Sequence, residues 1–130
     1  MLKINNVALQ IKSRNNFTAM FFLKTWRREK MATIKITVLK RCLVEDLVNE
    51  YAADKSKLVL CAKFKEGQEF MLDGANIPPN FCSWAFADIQ RDIVAMLHGA
   101  NYPWMKQKGT IISCCTDGLR PVFFKIERID

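Results

Sequence analysis

The sequence has little of what local catalytic motifs are made of. It contains one histidine, His98, and five glycines that stand apart from one another. It has no Ser-His-Asp order, no H-E-x-x-H zinc motif and no glycine-rich phosphate loop. No two cysteines have the C-x-x-C spacing. No catalytic motif is recognised, so the sequence leaves open whether the protein is an enzyme.

Long hydrophobic runs are also missing. No apolar stretch approaches the ~20 residues that a membrane-spanning helix needs, so no membrane association is expected. The five cysteines are an odd number, and no secretory signal precedes them. Both features argue against a disulfide framework and favour a reducing, cytoplasmic location.

The net charge of +7 is unevenly distributed along the chain. Residues 1–30 hold seven of the 20 basic residues and one of the 13 acidic ones, so residues 31–130 are close to neutral. A nucleic-acid-binding protein concentrates basic residues on its folded surface. The sequence therefore predicts no nucleic-acid partner.

Residues 1–30 are expected to lie outside the folded domain. Their apolar stretch, Phe17–Leu23, is too short for a secretory signal, whereas their basic composition fits a transit peptide. Alternatively, Met31 is the true start, since Trp26–Met31 can be encoded as TGG AGG AGA GAA AAA ATG, with a purine-rich ribosome-binding sequence before the ATG. We favour this last interpretation, which leaves residues 31–130 as one domain.

Periodicity predicts the elements of that domain. Apolar residues alternate in strands and recur at helical spacing in amphipathic helices. The predicted fold is α+β, with a small, mostly antiparallel sheet, two helices on one face and a C-terminal β-hairpin. Strands are predicted at Thr33–Lys40, Gly67–Gly74, Gly109–Thr116 and Pro121–Ile129, and Leu58–Cys61 is either a short strand or an extended segment. Helices are predicted at Val44–Ala53 and Trp84–His98, the latter with Ser83 as its N-cap. The predicted core contains Ile34, Ile36, Val38, Phe86, Ile89, Ile93, Val122, Phe124 and Ile126.

A second stripe on the predicted long helix combines an aromatic residue, an acid, a base and the only histidine. It contains Trp84, Asp88, Arg91 and His98. One interpretation makes this stripe the border of a polar pocket. The other is a solvent-exposed helix face with a weak Asp88–Arg91 ion pair.

Three cysteines are candidates for a common site. Cys114 and Cys115 are consecutive in a predicted strand, so their side chains point to opposite faces, and only one can meet Cys82. Cys61, Cys82 and Cys115 could then bind iron, an iron–sulfur cluster or zinc. They could equally be small buried hydrophobic residues, since close ligand pairs are missing.

A catalytic thiol is a third possibility for Cys82, because a helix N-terminus favours a thiolate. His98, however, would lie about 24 Å away along the same continuous helix. A Cys82–His98 dyad within one chain is therefore excluded.

Aromatic residues mark the loop after the long helix. Tyr102 and Trp104 are residue types favoured at interfaces, and loops often carry function. The two side chains could form an interaction surface, or they could close one end of the core.

Several segments resemble a family of short, uncharacterised proteins of anaerobic bacteria and archaea. The matching segments are residues 34–41 (IKITVLKR), 64–70 (FKEGQEF), 81–90 (FCSWAFADIQ), 103–109 (PWMKQKG) and 114–128 (CCTDGLRPVFFKIER). The resemblance covers nearly all of residues 31–130 and none of residues 1–30. It implies a family pattern of cysteines at Cys61, Cys82 and Cys115, without implying an activity.

Two functions remain open at this point. The first is a cytoplasmic domain with a cysteine-lined site for a metal or a small ligand. The second is a non-catalytic module for protein interaction or oligomerisation, which would use Tyr102, Trp104 and the exposed sheet face. A homo-oligomer or another protein partner is compatible with the second.

Overall fold

The computed structural model describes residues 31–129, and the predictions about residues 1–30 lie outside this range. The described residues form four strands and two helices. In chain order these are β1 (Thr33–Arg41), α1 (Glu45–Tyr51), a 3-10 turn (Lys55–Lys57), β2 (Glu69–Leu72), α2 (Ser83–Leu97), β3 (Thr110–Cys114) and β4 (Val122–Ile129).

The four strands form one antiparallel sheet in the order β2-β1-β4-β3. Ile36 of β1 is opposite Phe70 of β2 on one side and Ile126 of β4 on the other. The last two strands are neighbours and form the predicted hairpin, with Ile111 opposite Ile126. The α+β class and the C-terminal hairpin are therefore confirmed, and β3 lies at one end of the sheet.

The core lies between the sheet and α2. Along β1, Ile34, Ile36 and Val38 are fully buried, because alternate residues of a strand share one face. On α2, Ile89 and Ile93 are also fully buried. All nine predicted core residues are buried: Ile34, Ile36, Val38, Phe86, Ile89, Ile93, Val122, Phe124 and Ile126.

The ends of α2 differ slightly from the prediction. The helix begins at Ser83, and Cys82 occupies the N-cap with an extended backbone and no side-chain cap hydrogen bond. The carbonyl of Cys82 already accepts the N–H of Phe86 at 2.9 Å, which moves the start one residue earlier than expected. Gly99 has a φ of +87°, the left-handed conformation predicted for the helix stop.

The region before β2 is the least regular part of the described domain. Leu58–Cys61 forms no strand, so the first of its two predicted alternatives is wrong. The loop that follows contributes Phe64 to the core, where its ring lies 5.0 Å from that of Phe81 and 5.2 Å from that of Phe124. Edge-to-face aromatic contacts of this kind stabilise a buried cluster. Phe64 thus holds an irregular segment, including Cys61, against the domain.

Helix α1 is shorter than predicted. It buries only Val48, while Leu47 and Tyr51 are exposed. Its seven residues make two turns, too few to cover the sheet as α2 does.

Candidate functional site

Three of the five cysteines line one small cavity at the N-terminal end of α2. The cavity has a volume of about 140 Å³ and mostly apolar walls. We call it the thiol cavity. Its lining residues are Cys61, Phe64, Cys82, Trp84, Ala85, Cys115, Asp117, Arg120 and Val122.

Each of the three cysteines comes from a different segment. Cys82 is the N-cap of α2. Cys61 lies in the irregular segment before β2, and its own carbonyl accepts Nη1 of Arg41 at 3.1 Å. Cys115 follows β3, and its sulfur accepts the N–H of Val122 at 3.3 Å. All three cysteines are half-buried and pack against the core. Their convergence therefore depends on tertiary structure.

A short turn between β3 and β4 forms the polar side of the cavity. The carboxylate of Asp117 accepts the N–H groups of Leu119 and Arg120 at 3.0 and 2.9 Å. It also accepts Nε of Arg120 at 3.3 Å. Burial works against ionisation of Asp117, but the hydrogen bonds from the two N–H groups and the charge of Arg120 outweigh it and lower its pKa. The turn thus places the guanidinium of Arg120, held by the carboxylate of Asp117, at the wall of the thiol cavity.

The described residues of the thiol cavity do not bring three metal-ligating side chains together. Within residues 31–129, no three side chains of His, Cys, Asp or Glu are close enough together to hold one metal ion. Ligands of a single ion must nearly touch one another. Iron, iron–sulfur or zinc binding by Cys61, Cys82 and Cys115 thus receives no geometric support and stays a prediction.

A second and larger concavity runs between α2 and the outer strand β3. It is open, with a volume of about 990 Å³, and we call it the edge groove. Its lining residues are Ala87, Asp88, Arg91, Asp92, Ala95, Tyr102, Trp104, Ile111, Ile112, Ser113, Cys114 and Thr116.

Two carboxylates of α2 tie the helix to β3 and to the segment that follows it, along this groove. The hydroxyl of Ser113 donates to Oδ2 of the buried Asp92 at 2.7 Å. The backbone N–H and the hydroxyl of Thr116 donate to Oδ2 of Asp88 at 2.8 and 3.0 Å. Spacing of four residues puts both carboxylates on the same side of the helix. The polar lining of the groove is therefore fixed at two points.

Two consecutive cysteines line different concavities. Cys114 is exposed and lines the edge groove, whereas Cys115 is half-buried and lines the thiol cavity. The alternation of side chains along a strand predicted this opposition. Burial, followed by the nearby charges of Cys115 and Asp88, raises the pKa of the Cys114 thiol.

The predicted polar stripe of α2 does not act as one border. Trp84 lines the thiol cavity, and its Nε1 donates to Thr116 at 3.0 Å. Asp88 and Arg91 line the edge groove instead, and His98 is exposed at the C-cap and lines neither concavity. The ion pair of Arg91 is with Asp92, at 3.7 Å, rather than with Asp88. A stripe about 21 Å long at 1.5 Å per residue is too long to border one small cavity.

The aromatic loop lies partly in the core and partly at the surface. Tyr102 is half-buried and packs against the core, while Trp104 is 71% exposed. Their ring centroids lie 5.1 Å apart. Tyr102 therefore closes one end of the core, and Trp104 extends from it over the edge groove.

Several residues of the two concavities had no individual signal in the sequence. Arg120 and Ser113 have no such signal, because neither belongs to a motif and each acquires its place through the hairpin. Asp117 did carry a signal, since Asp before Gly marks a turn. Its position in the predicted turn is enough to mark Asp117 as a candidate for hydrogen bonding to the turn backbone.

Comparison of the chain with protein-family models, with curated proteins and with solved structures gave no match. The resemblance to short proteins of anaerobes therefore stays a prediction. Among the described residues, neither helix has the length and apolar character needed to cross a membrane.

Proposed function

We propose that residues 31–130 form a binding domain that holds a small molecule in the thiol cavity. The observation that carries the proposal is the convergence of Cys61, Cys82 and Cys115 on one mostly apolar cavity. The three residues come from an irregular loop, a helix N-cap and the end of a strand.

The size of the cavity limits the ligand. A dry apolar cavity of roughly 150 Å³ holds a molecule such as benzene, and the thiol cavity has about 140 Å³. Phe64 and Val122 supply apolar contacts on its walls, and sulfur is soft and polarisable. A ligand with a compact apolar body of about six to ten non-hydrogen atoms fits this space.

A negative charge on one end of the ligand suits the polar side. The described hydrogen bond of the Arg120 side chain is through Nε, so its two Nη groups are the parts of the guanidinium that a ligand can use. Trp84 and Ala85, in the first turn of α2, also line the cavity. The first N–H groups of a helix have no partner within the helix and favour an anion. The proposed ligand class is therefore small aromatic or aliphatic carboxylates.

The same features fit the cytoplasm as the location. All five cysteines are free, and a reducing compartment keeps thiols in that state. Oxidation of the cavity cysteines would change both the volume and the polarity of the proposed site.

Titration of the full chain with benzoate and with toluene tests the proposal. Amide NMR signals of Cys82, Ala85 and Cys115 are expected to shift saturably with both probes, and benzoate is expected to bind more tightly. Arg120→Met should weaken benzoate by about tenfold, the size of one lost charge-assisted hydrogen bond, and leave toluene unchanged. Arg91→Met is the matched control, because Arg91 lines the edge groove instead.

Two outcomes would contradict the proposal. One is the absence of saturable shifts at cavity residues with either probe. The other is a stoichiometric metal in anaerobically purified protein that is lost in Cys82→Ser and kept in Cys114→Ser, which would make the site a metal centre.

A further inference from the structure

Trp84 forms the outer wall of the thiol cavity. Among the residues that line this cavity, Trp84 alone is exposed to solvent, at 66%. Phe64 and Val122 are almost completely buried and form the inner wall. A side chain that lines a cavity while most of its surface meets solvent has one side toward the cavity and the other toward water. The position of the indole ring therefore sets the width of the opening.

Two linked hydrogen bonds hold this indole in place. Nε1 of Trp84 donates to the hydroxyl of Thr116 at 3.0 Å. Because an indole N–H donates and cannot accept, the proton of that hydroxyl is left for another acceptor. It goes to Oδ2 of Asp88 at 3.0 Å, which also accepts the backbone N–H of Thr116 at 2.8 Å. Two bonds to one carboxylate thus fix the acceptor of the indole. We call Trp84, Thr116 and Asp88 the latch.

The fold leaves only the side chain of Trp84 free to move. Trp84 and Asp88 are four residues apart on α2, so their side chains lie on the same face of the helix. The next two residues after Trp84, Ala85 and Phe86, are buried and anchor the first turn of α2 in the core. The backbone at Trp84 is therefore held, and the indole changes position by rotation about its side-chain bonds.

The strength of the latch suits repeated opening. The indole N–H of an exposed tryptophan can also bond to water, so burial does not require its bond to Thr116. One neutral hydrogen bond changes a two-state equilibrium by about fivefold. Side chains of exposed residues rotate rapidly. The latch thus favours the closed position of the indole and still permits frequent opening.

We propose that Trp84 is the gate of the thiol cavity and that Thr116 is the residue that positions it. With the latch formed, the indole shields the thiols of Cys82 and Cys115. With the latch broken, it turns outward and a small molecule enters. The purpose of the gate rests on the proposed ligand site. The gate controls entry, whereas Arg120 recognises the charge of the ligand.

Reaction of the cavity thiols with methyl methanethiosulfonate tests the gate without any ligand. A cysteine thiolate attacks the reagent, forms a methyl disulfide and releases methanesulfinate. Mass spectrometry of the digested chain gives the rates at Cys82 and Cys115 separately. Thr116→Val removes the hydroxyl at similar side-chain volume and should raise both rates by about fivefold. Thr116→Ser keeps the hydroxyl and should restore the wild-type rates.

Thr37→Val is the matched control. The hydroxyl of Thr37 also donates to a carboxylate, that of Glu69 at 3.4 Å, but the two residues lie on β1 and β2 and do not line the cavity. Both thiol rates should keep their wild-type values in this variant. Circular dichroism checks that each variant is folded. If Thr116→Val unfolds the protein, Trp84→Phe decides the question, because it removes the indole N–H and should also raise both rates.

The indole N–H of Trp84 gives a second measurement. The chain has three tryptophans, and Trp84→Phe identifies the NMR signal that belongs to Trp84. Hydrogen exchange of this N–H should be faster in Thr116→Val and unchanged in Thr116→Ser.

Unchanged thiol rates in both Thr116→Val and Trp84→Phe would overturn the proposal, and so would an equal rise in Thr37→Val. A failure of benzoate and toluene to bind, together with thiol rates that follow the latch, would reject the ligand site and support the gate.

Discussion

The thiol cavity and the edge groove are lined by two consecutive cysteines, yet they differ in size and in the polarity of their walls. The cavity has about 140 Å³ and mostly apolar walls, with Asp117 and Arg120 on one side, whereas the groove has about 990 Å³ and contains two aspartates and an arginine. Cys115 belongs to the first and Cys114 to the second. A strand at the end of a sheet thus serves two surfaces at once, because its side chains alternate.

The difference follows from how each concavity is built. The groove lies between two regular elements, α2 and β3, whose residues are fixed by hydrogen bonds from Ser113 and Thr116. The cavity joins an irregular loop, a helix N-cap and a turn, and it depends on the aromatic anchor Phe64. In this domain the small apolar cavity therefore depends on irregular segments that are held in place, while the open groove lies beside the outer strand.

A substitution in the core beneath both concavities should have the largest effect on the free energy of unfolding. Ile93→Ala should destabilise the protein by roughly 2–5 kcal/mol, because Ile93 is fully buried and truncation leaves a cavity. The neighbouring Val94 is 39% exposed, so Val94→Ala should cost less than about 1 kcal/mol. Urea denaturation measures both. Equal losses would mean that the two faces of α2 are assigned incorrectly.

The consecutive cysteines allow the sharpest comparison of the two surfaces. Cys115→Ser should cost about 1–2 kcal/mol, because a hydroxyl would replace a thiol that packs against the core. Cys114→Ser should change the free energy of unfolding by less than about 0.5 kcal/mol, as expected for an exposed position. A larger loss for Cys114→Ser than for Cys115→Ser would reverse the assignment of the two faces.

Acid should weaken the turn beside the thiol cavity. The pKa of Asp117 is lowered in the folded state, so its contribution to stability is present above its unfolded pKa of about 3.9. That contribution is lost as the pH falls through the lower folded pKa. Denaturation curves of wild type and Asp117→Asn should therefore differ near neutral pH and converge in acid. A difference that grows in acid would contradict the assigned hydrogen bonds.

The smallest expected effect concerns the reactivity of Cys114. Burial and the charges of Cys115 and Asp88 raise the pKa of this thiol, so iodoacetamide should modify it more slowly at pH 8 than it modifies a simple thiol. Asp88→Asn should raise the rate modestly, by less than about threefold, because Asp88 is one of several causes. Asp73→Asn, in an exposed loop, is the control. A slower reaction in Asp88→Asn would show that this carboxylate acts in another way.

The regular part of the fold could be predicted from the sequence. Ile34, Ile36 and Val38 alternate with exposed or half-buried residues, which identifies the buried face of β1. Ile89 and Ile93 recur at helical spacing, which identifies the buried face of α2. The irregular part could not. Phe64 stands in a polar segment with no period, and only the tertiary contacts with Phe81 and Phe124 explain its burial.

The candidate sites were predictable to a similar extent. Local alternation separated Cys114 from Cys115, and the position of Cys82 at a helix start followed from the helix itself. The role of Arg120 could not be predicted, because it depends on how the hairpin turn folds back on Asp117. The stripe from Trp84 to His98 is about 21 Å long at 1.5 Å per residue, so its length in the sequence already excludes a single small pocket.

X-ray diffraction from crystals of the full chain under xenon pressure would test the central claim most directly. Xenon enters apolar cavities of roughly 150 Å³, so a single strong site is expected in the thiol cavity. The atom should lie within about 4.5 Å of side-chain atoms of Cys61, Cys82 and Cys115, the range of apolar contact. A well-ordered cavity that excludes xenon, or sulfur atoms that do not surround a common space, would contradict the claim that these thiols form one ligand site.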